Sequence, residues 1–357
     1  MLSLRKNSVT LNLKALRIVL FVFALFLSAS TLFGQSYPKV IAQSGDGIYL
    51  LLRRHGLDPS EHLKPFLELN QENLGQDNSL YAGRTYLLPT ASTAAEAAVE
   101  SSPVEKATSS PAVLVEPLFG KSYERVEIKD KQLQGAVYYL IAGHSGPDPG
   151  AIGKYGAYQL SEDEYAYDVT IRLARRLMEH SATVYMIIQD PDDGIRDENI
   201  LKMDTDEVSY FGRPIPYDQK QRLRNRVADV NQLYLKHKGA HQRMLSIHID
   251  SRSKGQNIDV FFYHHESSAP GLALAQRIHE VFTTKYNRHQ PNREYFGTVT
   301  PRSSLYVVKY SHPPTVFVEL GNIKNDKDQR RFIIPNNRQA LANWLCDGII
   351  ADYKASN

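Results

Sequence analysis

Four side chains of metal-ligating or acid–base type recur at the same kind of place in this sequence. His144 comes just after an apolar run, Val137 to Ala142, that stops at Gly143. His248 lies at the end of a second run, Met244 to Ile249, and Glu319 near the end of a third, Thr315 to Leu320. Short apolar runs bounded by turn residues read as buried strands passing into loops. Glu162 opens a helical pattern just beyond a loop in which His144, Gly146, Asp148 and Gly150 fill the spacing H-x-G-x-D-x-G. Two histidines and a glutamate can hold zinc with the fourth position open, which is the layout of catalytic rather than structural zinc. A further carboxylate nearby can then act as general base. Residue types alone leave open which glutamate is ligand and which is base.

Neighbouring residues compete for these roles. Asp163 and Glu164 adjoin Glu162, and acidic residues suit a helix N-terminus in any case. The register of the helix favours Glu162 over Glu164. Asp148 reads as a loop-shaping residue, and His264 and His265 are spare ligand candidates after another strand. Arg226 and Asn231, on a helix, are equally compatible with structural roles and with substrate contact. No H-E-x-x-H and no G-x-S-x-G occurs, which disfavours those zinc-peptidase and serine-hydrolase classes.

The elements that must position these groups alternate. Strands are expected at Val137–Ala142, Thr183–Ile188, Met244–Ile249, Asp259–Tyr263, Leu305–Val308 and Thr315–Leu320. Helices are expected at Glu162–His180, Lys220–Lys236, Pro270–Tyr286 and Arg338–Tyr353. Alternation of this kind predicts an α/β three-layer sandwich, a largely parallel mixed sheet with helices on both faces. Gly321 is expected to let the chain turn sharply away after Glu319. Residues 190–218 do not fit the alternation. They are rich in Asp and Glu, are broken by Gly and Pro, and fill a connection that needs only a few residues. They read either as a lid that a protein activator displaces or as an inert surface loop.

The chain has 357 residues with a net charge of +3, 42% hydrophobic and 23% charged residues, and a single cysteine, Cys346. This is an ordinary globular composition, long enough for about two domains. Nothing in the charge pattern indicates a nucleic-acid binder. Residues 1–34 have the form of a secretory signal peptide: Lys6, Lys14 and Arg17 precede the apolar run Ile18–Leu27, and small residues follow. The apolar core is short for a membrane span, so export to the periplasm or cell envelope is expected, with no membrane span in the mature protein. Residues 37–89 carry a short strand, two helical patterns and a second short strand. Residues 90–122, rich in Ala, Ser, Pro and Glu, read as a flexible linker. The main domain is then expected at 123–357.

Two resemblances follow. The 37–89 segment resembles a LysM module, a small βααβ domain that binds N-acetylglucosamine-containing glycans, through Gly45–Asp46, the Leu63 to Asn70 stretch, and Leu80, Gly83 and Leu87. Most of residues 137–353 resemble the zinc-dependent N-acetylmuramoyl-L-alanine amidases of cell separation. The matching pieces, in the family's order, are GHSGPDPGAIG, SEDEYAYDVTIRLARRL, RNRVADVN, SIHID and VFVELGNIKN. The resemblance implies that His144, Glu162 and His248 bind zinc and that Glu319 is catalytic. The activity implied is hydrolysis of the amide between N-acetylmuramic acid and the L-alanine of the stem peptide by a zinc-activated water. The alternative is a non-catalytic wall-binding or activator protein that keeps the fold. There are departures. Ile141–Ala142 stand where the family has Asp-Pro, Ile188–Gln189 where it has Thr-Arg, Asp250 where it has Asn, and Asn322 where it has Phe. None removes a proposed ligand or base.

Overall fold

The computed structural model describes residues 37–42, 48–55, 57, 59–75, 80–89, 112–251 and 257–356. The expected signal segment, most of the expected linker, and Gly45–Asp46 lie outside the described residues.

In the N-terminal unit, β1 (Lys39–Ile41), α1 (Ile48–Arg54), α2 (Pro59–Asn70) and β2 (Thr85–Leu87) follow one another, and β1 pairs antiparallel with β2. This is the expected βααβ order. Leu51, Leu52, Phe66 and Tyr86 are fully buried in its small core. Asn70 ties helix to strand: its side chain donates to the carbonyls of Phe66 and Leu87 at 2.8 and 2.9 Å and accepts from the Leu87 N–H at 2.8 Å. A buried amide satisfied in this way stabilises one arrangement of the unit, because an unpaired alternative is costly.

The main domain starts earlier than Tyr123. Residues 112–122, expected as the end of the linker, carry β3 (Val113–Val115), which pairs with β4 (Arg125–Glu127), and the fully buried Phe119. Then come β5 (Ala136–Ala142), β6 (Ile152–Tyr155), β7 (Tyr158–Ser161) and α3 (Glu162–Glu179). β8 (Thr183–Met186), β9 (Ile188–Gln189), β10 (Val208–Ser209), α4 (Gln219–Lys236) and β11 (His241–Asp250) follow. The chain ends with β12 (Phe261–His264), α5 (Ala269–His289), β13 (Thr298–Pro301), α6 (Tyr306–Tyr310), β14 (Thr315–Asn322), α7 (Asp326–Ile333) and α8 (Pro335–Ser356).

The central sheet has six strands in the order β13-β12-β14-β11-β5-β8. All neighbours are parallel except β12 and β14. β5 is buried at every position, and its side chains alternate between two cores. Tyr138, Leu140 and Ala142 pack with residues of α3, α5 and α8, while Val137, Tyr139 and Ile141 pack with residues of α4 and α6. That alternation is the period-two geometry of a strand covered on both faces. The expected three-layer α/β sandwich is therefore present.

Two local expectations are corrected. Leu305–Val308 is not a strand; the segment forms the short helix α6, with Val307 and Val308 buried. A short apolar run carries too little periodicity to separate the two. The chain also does not turn at Gly321, because β14 runs on to Asn322. A side chain at Gly321 would meet Arg331 Nη1 at 2.8 Å and Phe332 at 3.1 Å. The glycine sits at a register irregularity of β14, where its φ of 147° favours glycine, and it leaves room for α7.

Candidate active site

Register brings the chemistry together. β5, β11 and β14 are adjacent and parallel, so their carboxyl ends lie at one edge of the sheet, where ligands bind in open α/β sheets. His248 pairs directly with Glu319, Ile247 pairs with Ala142, and the Gly143 N–H donates to the Ile247 carbonyl at 2.8 Å. The chain then turns sharply at His144 and Ser145, both with positive φ (59° and 84°), and Ser145 N–H closes the turn on Asp148 O at 3.0 Å. Left-handed backbone at non-glycine residues is costly and is held here by the surrounding structure.

Glu162 stands between the histidines. Its Oε2 lies 3.2 Å from His144 Nε2 and its Oε1 lies 3.0 Å from His248 Nδ1. It also accepts from the N–H groups of Ala151 (3.0 Å) and Ile249 (3.1 Å). One potential ligand atom from each of these three side chains lies within 4.8 Å of the others. Two glycines make the room: a Cβ on Gly143 would sit 2.4 Å from the His248 ring, and one on Gly150 would sit 2.7 Å from the His144 ring. His248 is stacked on Phe317, with ring centroids 4.2 Å apart.

The electrostatics of the cluster suit a cation. Burial alone would lower the His144 pKa, but its bonds to Asp148 and Glu162 outweigh burial and raise it to about 10. Burial alone would raise Glu162, yet hydrogen bonds from the two histidines hold it well below the usual carboxylate range. Burial pushes His248 down, so a neutral imidazole is favoured there. Positive charge placed among these atoms is stabilised, and two imidazole nitrogens with one carboxylate oxygen fit zinc better than they fit calcium or magnesium.

The competing residues lie elsewhere. Glu164 pairs with Arg196 at 2.8 Å and accepts from Asp204 N–H at 3.1 Å. Asp163 accepts from Glu164 N–H at 2.8 Å. His264 Nδ1 faces the carbonyl of His265, and His265 Nδ1 faces Ser267. Asn231 donates to Tyr310 O at 3.0 Å and accepts from His312 N–H at 2.7 Å, a structural tie between α4 and the segment after α6.

A cavity of about 520 Å³ is lined by His144, Glu162, His248 and Glu319 together with Arg222 and Arg302. Glu319 Oε2 is buried there without a hydrogen-bond partner. Burial, and then the charges of Glu162 and Asp250, push its carboxyl well above the ordinary range. Buried polar groups are nearly always satisfied, so an orphaned carboxylate oxygen in a cavity signals a group the site is made to receive.

Residue reading missed the bracing from α4. Asp148 Oδ2 faces His144 Nδ1 at 3.1 Å and accepts from Arg222 Nη2 at 2.5 Å, and Arg226 donates to the His144 carbonyl. The available signal was the spacing of Arg222 and Arg226, which places them on one helix face. Residues 190–218 line none of this cavity. Instead Glu207 accepts from Gly146 N–H at 2.7 Å, which braces the His144 loop from outside.

The strand-end cluster of two histidines and a carboxylate could hold a metal ion, and a carboxylate with an unpaired oxygen lies in the same cavity. A family model described as N-acetylmuramoyl-L-alanine amidase matches residues 139–351, and the chain belongs to this family of peptidoglycan amidases. Solved structures similar to it include the CwlD amidase of Clostridioides difficile in complex with the GerS lipoprotein: 20% identity, 62% of this chain and 99% of that one, TM-score 0.46. The amidase AmiC2 of Nostoc punctiforme is 19% identical over 61% of this chain and 97% of that one, TM-score 0.44. Ami1 of Mycobacterium smegmatis is 18% identical over 62% of this chain and 99% of that one, TM-score 0.46. No curated protein matches the chain. Among the described residues no helix is long and apolar enough to cross a membrane.

Proposed function

We propose that the protein is an exported, zinc-dependent hydrolase that cleaves the amide between the lactyl group of N-acetylmuramic acid and the L-alanine of the stem peptide. The observation that supports this best is the grouping of His144, Glu162 and His248 in one cavity with the unpartnered Glu319 Oε2. Held by those three side chains, zinc would polarise the scissile carbonyl and make a water nucleophilic near neutral pH. Glu319 takes the proton of the attacking water and hands it to the leaving amine. Asp148, itself held by Arg222, fixes the His144 ring so that Nε2 faces Glu162.

The 37–89 unit, as a LysM-like module, holds the enzyme on glycan, and export places it in the periplasm or cell envelope. A protein activator that engaged residues 190–218 would act by shifting the His144 loop through Glu207 rather than by uncovering the cavity. The test is digestion of purified peptidoglycan with mass analysis of the products. Release of free stem peptides beginning with L-alanine, stopped by a chelator, is expected. Cleavage of the sugar chain or within the peptide, or binding with no product, would overturn the reading.

A further inference from the structure

The cavity is lined by three arginines, Arg222, Arg226 and Arg302. Two are committed to holding the site together. Arg222 binds Asp148 and the carbonyls of Pro216 and Tyr217, and the buried Arg226 binds the His144 carbonyl. Arg302 differs. It is exposed, and among the described residues its guanidinium makes no ion pair and no hydrogen bond.

Its position is nevertheless fixed. It follows β13 directly, and its N–H donates to the His264 carbonyl at 2.9 Å. Its guanidinium lies over the ring of the buried Tyr263, 5.1 Å from the centroid, in a cation–π contact. From there ring contacts lead inward: Tyr263 to Phe317 at 6.3 Å and Phe317 to His248 at 4.2 Å. Arg302 is thus a preorganised cation on the wall of the cavity that holds the cluster. Sheet order tells which part of the substrate reaches it. Glu319 is on β14, with β11 and β5, which carry the histidines, on one side and β12 and β13 on the other. In the proposed reaction Glu319 serves the leaving amine, so a stem peptide running from it across β14 towards β12 and β13 would reach Arg302.

We infer that Arg302 forms a carboxylate-binding subsite that selects stem peptides carrying a free carboxylate on the residue after L-alanine. The inference rests on the proposed amidase reading. A guanidinium forms two parallel hydrogen bonds with a carboxylate but gains no charge assistance from a carboxamide.

The test uses the full chain and two soluble muropeptides that differ only in a carboxylate or carboxamide at that residue. The wild type prefers the acid by about tenfold in kcat/KM, chiefly through KM, as expected for a charge-assisted hydrogen bond. Arg302→Gln brings the acid-to-amide ratio close to one, Arg302→Lys keeps part of the preference, and added salt narrows the wild-type ratio. Equal wild-type rates on both substrates, or a ratio unchanged in Arg302→Gln, overturn the subsite while leaving the amidase reading standing. Failure of the wild type on both substrates overturns the amidase reading and the subsite with it.

Discussion

At the residue scale the site turns on two glutamates in opposite states. Glu162 is surrounded by donors and held charged, whereas the half-buried Glu319 has an enclosed, unpartnered Oε2 and resists charging. The difference suits the proposed roles of Glu162 as ligand and Glu319 as base, and residue types alone could not supply it. The state of Glu319 has a consequence for stability. A carboxyl whose folded pKa is raised contributes stability that is complete below its unfolded value and is lost as pH rises through the folded value. In chelated protein, wild type should therefore lose stability relative to Glu319→Gln as pH climbs above 4.5, the ordinary value for this group. Thermal melting should show the variant higher by about 2 °C or more at pH 8 and equal at pH 4. Asp163, Glu164, Asp190 and Glu207 are also raised by burial, but they are common to both proteins and cancel in the difference. No difference at either pH would mean that the Glu319 carboxylate is satisfied in solution.

At the scale of elements, 190–218 decides between a lid and a brace. Buried Arg338 donates to the carbonyls of Arg196 (2.8 Å) and Glu198 (2.9 Å), Arg172 binds the Arg196 carbonyl at 2.6 Å, and β10 pairs with β9. Anchoring of this kind, and absence from the cavity wall, favour a brace over a lid. Glu207→Ala should accordingly lower the rate on a soluble muropeptide, by about tenfold or more through a loosened His144 loop. A rise in rate would restore the lid, and an unchanged rate would mark an inert loop. The sheet strands and long helices were legible because their apolar periodicity is strong. What stayed hidden depends on contacts between distant segments. The edge strand β13 is too short to show a pattern, the β6–β7 hairpin alternates poorly, and the Arg222–Asp148 tie joins residues far apart in the chain. Leu305–Val308 misled because a helical turn and a short strand bury the same few apolar residues.

At the scale of the whole molecule, two units each have their own core. The free Cys346 is buried, and the fold is held by packing and by buried ion pairs such as Arg338–Asp168. If the 37–89 unit tethers the enzyme to an insoluble polymer, it raises the local substrate concentration without touching the chemistry. Deleting it should slow digestion of sacculi about tenfold or more and leave cleavage of a soluble muropeptide nearly unchanged. Equal losses on both substrates would give the unit a folding role instead.

In the proposed mechanism His144, Glu162 and His248 hold the metal while Glu319 moves the proton. The most direct measurement is metal content together with turnover of a soluble muropeptide for Glu319→Gln beside wild type. Glutamine keeps the size of the side chain and most of its hydrogen bonding but cannot accept a proton. The variant should retain one zinc per chain and lose on the order of a hundredfold or more in kcat, the usual scale for a general base. Loss of zinc from the variant would make Glu319 a ligand, and near-normal turnover would place the base elsewhere; either result contradicts the account.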